Sequence, residues 1–306
     1  MSVPAPAEPP RSRRERRAAK RADRMPTRDF PMPGLQIAAT GTVPAVRGPQ
    51  PRWMQRLFGG YDIDGPRVRV GFVWFLLLAG ALYAGLVALG VLYGLVAGVA
   101  ATQTAREWRR VGRQPSRLVA GLGALLIPLT ASVSLVLPGL VILAVPVAAL
   151  GVALFRRRRR TPLLDAAGTT VRSSVFHAVG AAAVLVTYRA SIAGAIILVV
   201  LVCAYEMGDF LVGAESGSVV IGPIAGIIAV GVFTASVAVF QLSPFREPLD
   251  AIVFGALVAV LCPLSQMVAS LLLPTASAKA PALRRLDSLL LTAPAWVWLL
   301  WNYLGS

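Results

Sequence analysis

Charged residues are scarce in this sequence. Only 14% of its 306 residues are Asp, Glu, Lys or Arg, whereas soluble domains contain roughly 25%. Hydrophobic residues make up 56% of the chain, and the mean hydropathy is +0.70. The low charge excludes an ordinary soluble domain. Because the apolar stretches do not alternate with polar residues, a transmembrane barrel is not expected either.

Cysteine and histidine are also rare. Cys203 and Cys262 lie in separate apolar segments, so neither a disulfide framework nor a zinc site is predicted. The single histidine, His177, stands at the start of an apolar segment without an obvious partner, and we expect no catalytic role for it. The sequence contains no P-loop, GxSxG or HExxH motif, which excludes several common catalytic signatures.

Apolar runs of membrane-spanning length fill the chain from about residue 70 onward. In hydrocarbon such runs must be helices, which satisfy their own backbone hydrogen bonds. We therefore predict an all-α fold, a polytopic transmembrane helical bundle of about nine spans. Residues 70–104 and 118–155 are each long enough for two spans, hinged near Gly85 to Gly90 and near Pro138, although 70–104 could also form one long tilted helix. The remaining spans are 173–189, 192–212, 219–241, 251–273 and 287–303.

The positive charge is concentrated in the N-terminal tail and in a few loops. Residues 1–60 are rich in Pro, Arg and Ala, and they are predicted to form a disordered basic tail because they have little apolar surface to bury. Residues 61–306 form the transmembrane domain. The net charge of +16 is interpreted as a topology signal rather than a nucleic-acid interface. Basic clusters such as Arg156 to Arg160 would then face the cytoplasm, with the protein in the cell membrane and its N-terminus cytoplasmic.

Acidic residues inside membrane segments are costly and are therefore candidate functional residues. Glu206 and Asp209 are three residues apart near the cytoplasmic end of one predicted span, so they share a helix face. Asp287, at the start of the last span, is predicted to lie at the same depth. Three carboxylates there could bind Mg²⁺ and a nucleotide phosphate. The alternative is that they are interfacial acids that reach water at helix ends.

The C-terminal half carries an ordered series of motifs. One span ends in Tyr205-Glu-Met-Gly-Asp-Phe-Leu-Val-Gly213, a later one contains Leu264-Ser-Gln-Met-Val-Ala-Ser270, and Arg284-Arg-Leu-Asp-Ser-Leu opens the last helix. This order resembles the phosphatidate cytidylyltransferase (CDP-diacylglycerol synthase) family. Members of that family carry Asp-x-Gly-Ala-Tyr-x-x-Gly, a later Gly-Asp, and a signature that ends in Asp-Arg-x-Asp-Ser-Leu. The likeness covers roughly residues 65–305 and is firmest over 200–295.

The family pattern is kept at some positions and changed at others. Glu206 stands at the first Asp, and Asp287 with the following Ser-Leu matches the end of the signature. Arg284 replaces another Asp of the signature, and Ser265-Gln266 replaces the Gly-Asp pair. The resemblance implies transfer of a cytidylyl group from CTP to phosphatidate. In an active member, Glu206, Asp209 and Asp287 would be the catalytic and Mg²⁺-binding residues, and Lys279, Arg284 and Arg285 the nucleotide-binding residues.

Two functions therefore remain open. The first is an active nucleotidyltransferase that uses CTP and Mg²⁺. The second, slightly favoured because motif carboxylates and lysines are replaced, is a catalytically inactive relative that binds anionic phospholipid or a membrane partner. A transporter would carry paired intramembrane charges and internal repeats, and neither is present. A homodimer stays open, since the sequence does not fix the number of subunits.

Overall fold

A computed structural model describes residues 67–155, 162–216, 220–275 and 278–305. The predicted N-terminal tail and the Arg156 to Arg160 cluster lie outside these residues. The described residues form nine α-helices, one short 3₁₀ helix at Leu283–Arg285, and no β-strand. The α-helices are α1 Arg67–Ala84, α2 Leu86–Arg110, α3 Arg117–Ala131, α4 Leu137–Phe155, α5 Leu163–Ala190, α6 Ile192–Ser216, α7 Ile221–Val239, α8 Pro248–Leu272 and α9 Leu289–Gly305.

Six of these helices are long and apolar enough to cross a membrane: α2, α4, α5, α6, α7 and α8. Residues 71–84 of α1 and the whole of α3 are apolar but shorter, and α9 has 17 residues. The all-helical prediction is confirmed, and the apolar helices identify the chain as a membrane protein. The number of spans is supported at six by length and composition, so nine spans stays a prediction.

The chain reverses direction at Gly85, the single residue between α1 and α2. Trp74 and Tyr93 are in edge-to-face contact, with ring centroids 6.3 Å apart. In one continuous helix, residues 19 positions apart would be separated by roughly 28 Å. Gly85 has φ of 101°, a backbone conformation that glycine adopts readily. The segment 70–104 therefore contains two helices, and the alternative of one long tilted helix is wrong.

Two helix boundaries differ from the predictions. The break between α3 and α4 spans residues 132–136, and Pro138 lies in the first turn of α4, where a proline needs no backbone hydrogen-bond partner. Helix α5 begins at Leu163, ten residues before the predicted start of its span. Its first three turns contain Asp165 and Arg172 among small residues, so the apolar span begins well inside a longer helix.

Long-range hydrogen bonds define two ends of the bundle. At the end that we call the basic end, the α2 side chain of Trp108 donates to Leu272 O of α8 over 2.9 Å, and Ala282 N donates to Gln103 Oε1 over 3.1 Å. At the opposite end, Tyr188 Oη of α5 donates to Leu82 O of α1 over 3.3 Å. Helices that follow one another in the chain thus run in alternating directions. Between the two ends lies a core built largely from Ala, Leu and Val side chains.

Candidate functional site at the basic end

Close packing of α6 against α7 positions two of the predicted site residues. A Cβ placed on Gly208 would lie 2.6 Å from Ala225 O, and one placed on Gly226 would lie 2.7 Å from the Tyr205 ring. A Cβ on Gly222 would lie 2.3 Å from Asp209 Oδ1. Small residues commonly allow helices to approach this closely in membranes. The glycines around the Tyr205–Gly213 motif thus hold Asp209 directly against α7.

Asp209 is almost fully buried, with 2% of its surface exposed. Gln266 of α8 donates from Nε2 to Asp209 Oδ2 over 3.3 Å. The other end of the same amide, Gln266 Oε1, accepts a hydrogen bond from Tyr205 Oη over 3.3 Å. Gln266 therefore links α8 to two side chains of α6, and its amide is a polar partner for a carboxylate that would otherwise be buried at high cost.

Asp287 lies in the loop between the 3₁₀ helix and α9, and only 4% of its surface is exposed. Its Oδ1 accepts a hydrogen bond from the backbone N–H of Ser288 over 2.8 Å. Its Oδ2 faces the guanidinium of Arg284 over 3.4 Å, in an ion pair whose arginine side chain is 44% exposed. The position that is acidic in the resembling family is thus occupied here by a cation that neutralises Asp287.

Glu206 joins the two aspartates. It interacts electrostatically with Asp287, Asp209 and Arg285, and with the hydroxyl of Ser288 through a side-chain hydrogen bond. The structure therefore places Glu206, Asp209 and Asp287 within electrostatic range of one another, and we call these three residues the carboxylate cluster. Their side chains come from α6 and from the loop before α9, more than 70 residues apart in the chain. The catalytic and metal-binding roles assigned to them stay predictions.

The three predicted nucleotide-binding residues have different environments. Lys279 and Arg284 are exposed, whereas Arg285 is half-buried beside Glu206. A Cβ on Gly71 of α1 would lie 4.0 Å from an Arg285 guanidinium nitrogen. We call Lys279, Arg284 and Arg285 the basic rim. Two of its members are directed at carboxylates of the protein itself.

Ser265 and Gln266, which replace the Gly-Asp pair of the resembling family, form hydrogen bonds in this region. Ser265 of α8 accepts hydrogen bonds at its Oγ from Leu291 N over 3.0 Å and from Thr292 N over 3.3 Å. The first four N–H groups of a helix have no partner within it, so Ser265 caps α9 from a neighbouring helix. Gln266 holds Asp209, as described above. The signal that could have identified them was their position, since Ser265-Gln266 stands where the resembling family carries Gly-Asp.

The carboxylate cluster fits a bound Mg²⁺ poorly in its present arrangement. Magnesium requires near-octahedral oxygen coordination, and carboxylates must point at the ion to supply it. Among the residues that the structure describes, no three His, Cys, Asp or Glu side chains are grouped so that they could hold a metal ion. Asp209 instead faces the Gln266 amide and Asp287 the Arg284 guanidinium. We therefore derive no chemical step through a metal at this site.

His177 and the two cysteines are packing residues and belong to neither the carboxylate cluster nor the basic rim. His177 is fully buried, and its Nε2 forms a hydrogen bond with Thr104 Oγ1 of α2 over 3.1 Å. Both cysteines are free thiols, and Cys262 accepts a weak hydrogen bond from Thr292 Oγ1 over 3.7 Å. These contacts join α2 to α5 and α8 to α9.

No protein-family model, no curated protein and no solved structure matches this chain. The resemblance to phosphatidate cytidylyltransferases therefore rests on the motifs alone.

Proposed function

We propose that this chain is a catalytically inactive relative of the phosphatidate cytidylyltransferases that binds anionic phospholipid at its basic end. In this proposal it crosses the cell membrane nine times, with the N-terminus and the basic end in the cytoplasm. The observation that carries the proposal is that two members of the carboxylate cluster are paired with other side chains of the protein. Asp209 and Asp287 already have protein partners, and the partner of Asp287 is a cation.

The chemistry of nucleotidyl transfer explains why carboxylates with protein partners argue against an active enzyme. Such enzymes supply metal ions and cations that neutralise the charge spreading over the phosphates. A guanidinium in an ion pair with Asp287 repels an incoming Mg²⁺ and reduces the negative charge that would attract it. An exposed cation at this end such as Lys279 suits a ligand that already carries negative charge, and a phospholipid headgroup is the anionic ligand that a membrane presents at its surface.

Lipid binding without turnover is tested on the purified full-length chain. We expect vesicles containing phosphatidate or phosphatidylglycerol to bind more tightly than vesicles of phosphatidylcholine alone, and the difference to shrink as salt rises from 0.05 to 0.5 M (about fourteen to four Å of screening length). Equal binding to all vesicles, or binding that is insensitive to salt, would contradict the proposal.

An active nucleotidyltransferase is the second candidate, because Glu206, Asp209 and Asp287 do lie together. Labelled CTP and phosphatidate, incubated with the protein and Mg²⁺, would yield a labelled lipid if the cluster were still active. The matched control is the double variant Glu206→Ala/Asp287→Ala. A CTP-dependent rise in thermal stability that the double variant loses would favour this candidate, whereas no product and no shift in the wild type would favour the inactive relative.

A further inference from the structure

An apolar groove runs along the membrane-facing side of the basic end, away from the carboxylate cluster. It has a volume of about 500 Å³ and lies between α4, α5 and the last turn of α8. That volume is within the roughly 300–1,000 Å³ typical of small-molecule sites. Its walls include Pro146, Leu150, Gly168, Val171, Phe176 and Leu272, and Arg172 is the one charged residue among the described residues that line it.

The groove opens on the outer surface of the bundle, where α4 and one side of α5 are exposed. Leu143 and Val147 of α4 are each 70% exposed, and Phe176 of α5 is 50% exposed. Of the six helices able to span a membrane, α4 has the smallest buried share, 17%. In a membrane, a groove with such walls is filled by hydrocarbon, because its lining offers water almost no hydrogen-bonding partner.

Arg172 brings a positive charge to this apolar surface. Its guanidinium donates to Leu271 O at the end of α8 and stacks on Trp108 of α2, 5.0 Å from the ring centroid. Arg113 lies 5.9 Å from the same centroid and forms an ion pair with Asp165. Within the described part of the chain Arg172 has no carboxylate partner. Its guanidinium contacts a carbonyl group and an aromatic ring but no anion.

Arg172 lies level with residues of types that are common at a membrane surface. The backbone N–H of Ser116, just before α3, donates to Thr170 Oγ1 over 2.9 Å, which places this part of α5 level with the loop between α2 and α3. That loop and the end of α2 carry a Trp and several arginines. Tryptophan and arginine are typical of the membrane–water interface, where phosphates lie.

We infer that the groove between α4, α5 and α8 binds an anionic phospholipid, with the phosphate on Arg172 and an acyl chain against Gly168, Val171 and Phe176. This inference rests on the proposed function and gives it a site. A soluble phosphate compound would match only Arg172, and a neutral lipid would match only the groove. An anionic phospholipid provides both the hydrocarbon that fills the apolar walls and the negative charge that Arg172 lacks.

Two variants separate the charge of the site from its shape. Arg172→Gln removes the cation and keeps a hydrogen-bond donor. Gly168→Leu fills the groove, since a Cβ at this position meets no atom within 4 Å. The matched controls are Arg117→Gln, which removes an exposed arginine from the start of α3, and Gly139→Leu, which adds the same bulk to an open position on α4. Arg172→Lys keeps the charge and tests whether weaker binding in Arg172→Gln comes from a general loss of structure.

The measurement is native mass spectrometry of the full-length chain in detergent, titrated with phosphatidylglycerol and phosphatidylcholine of identical acyl chains. We expect the wild type to prefer phosphatidylglycerol and Arg172→Gln to bind it roughly tenfold more weakly, the effect of losing one charge-assisted hydrogen bond. Gly168→Leu should bind both lipids more weakly. Both controls should match the wild type, and Arg172→Lys should recover most of the preference.

The outcomes distinguish failure of the groove from failure of the proposed function. A wild type without preference for the anionic lipid would overturn both. A wild-type preference that neither Arg172→Gln nor Gly168→Leu changes would leave anionic-lipid binding intact and overturn the groove as its site. Weaker lipid binding in Arg172→Gln alone would mean that the headgroup binds to Arg172 without an acyl chain in the groove. Weaker lipid binding in Gly168→Leu alone would mean that the groove holds an acyl chain without a contribution from the charge of Arg172. Either result overturns the inference.

Discussion

The two ends of the helical bundle use charged residues differently. At the opposite end, Arg189 donates to Ala131 O over 3.0 Å and to Ser132 O over 2.7 Å, where α3 ends. Asp250 accepts from Glu247 N over 3.1 Å and completes a capping box at the start of α8. At the basic end, buried carboxylates are instead paired with other side chains, Asp209 of α6 with the Gln266 amide and Asp287 with the Arg284 guanidinium.

The difference separates charged side chains that stabilise helix termini from charged side chains whose position needs another explanation. A cation near a helix C-terminus and an acid near an N-terminus are stabilising by ordinary helix electrostatics, and that accounts for Arg189 and Asp250. Glu206 and Asp209 lie inside α6, before its last turn at Ser216, so the helix dipole does not account for them. Burial of like-charged carboxylates near Asp287 is a cost to the fold.

The largest effect on this comparison is expected from Gly222→Ala. The new methyl group would lie 2.3 Å from Asp209 Oδ1 and 3.0 Å from Asp209 O, so α6 and α7 must separate, at a cost of about 1–3 kcal/mol. Gly231→Ala is the control on the same helix, because a Cβ there meets nothing within 4 Å. Unfolding by titration with a denaturing detergent measures both. Equal stability of the two variants would show that the α6–α7 contact is looser than the structure indicates.

Ser265→Ala should have the next largest effect. It leaves the N–H groups of Leu291 and Thr292 without the hydroxyl that caps α9, and an unpaired buried donor costs about 1–3 kcal/mol. Ser265→Thr keeps the hydroxyl and is the matched variant, although its extra methyl group must fit among buried neighbours. The same detergent titration applies, and an unchanged midpoint for Ser265→Ala would mean that α9 is capped in another way.

Arg189→Gln tests the opposite end and should have a smaller effect. The arginine is partly exposed and spans two carbonyl groups, so its loss should cost about 1 kcal/mol. Anionic-lipid binding should not change, because Arg189 lies far from the basic end. A variant that loses lipid binding while keeping its stability would remove the distinction between the two ends.

Tyr303→Phe should have the smallest effect. The Tyr303 hydroxyl donates to Asp250 Oδ2 over 2.8 Å and accepts from Arg246 N over 2.8 Å, and interhelical hydrogen bonds in membrane proteins contribute about 0.6 kcal/mol on average. The aromatic contact of Tyr303 with Phe254, at 5.9 Å between ring centroids, would remain. A loss of several kcal/mol would show that this end depends on its polar contacts as strongly as the basic end does.

Several parts of the site could be predicted from the sequence because they follow from local chemistry. Glu206 and Asp209 share a helix face by their spacing, and Asp287 was placed near them by counting spans. The partner of Asp209 could not be predicted in the same way. Gln266 reaches Asp209 only because α8 packs beside α6, and side-chain packing between distant segments leaves no periodic signal. Arg284 and Asp287 are only three residues apart, so their ion pair is a local contact.

The sequence by itself determined the helical class, because apolar runs without water must satisfy their backbone hydrogen bonds internally. It also showed that residues 70–104 are longer than one span needs, but the contact of Trp74 with Tyr93 in the structure decided between two helices and one long helix. The tertiary structure decided which residues meet. It paired Asp209 with Gln266, capped α9 with Ser265, and set Arg172 beside Trp108 at an apolar groove. Each of these depends on how helices pack, and composition and spacing alone do not specify that packing.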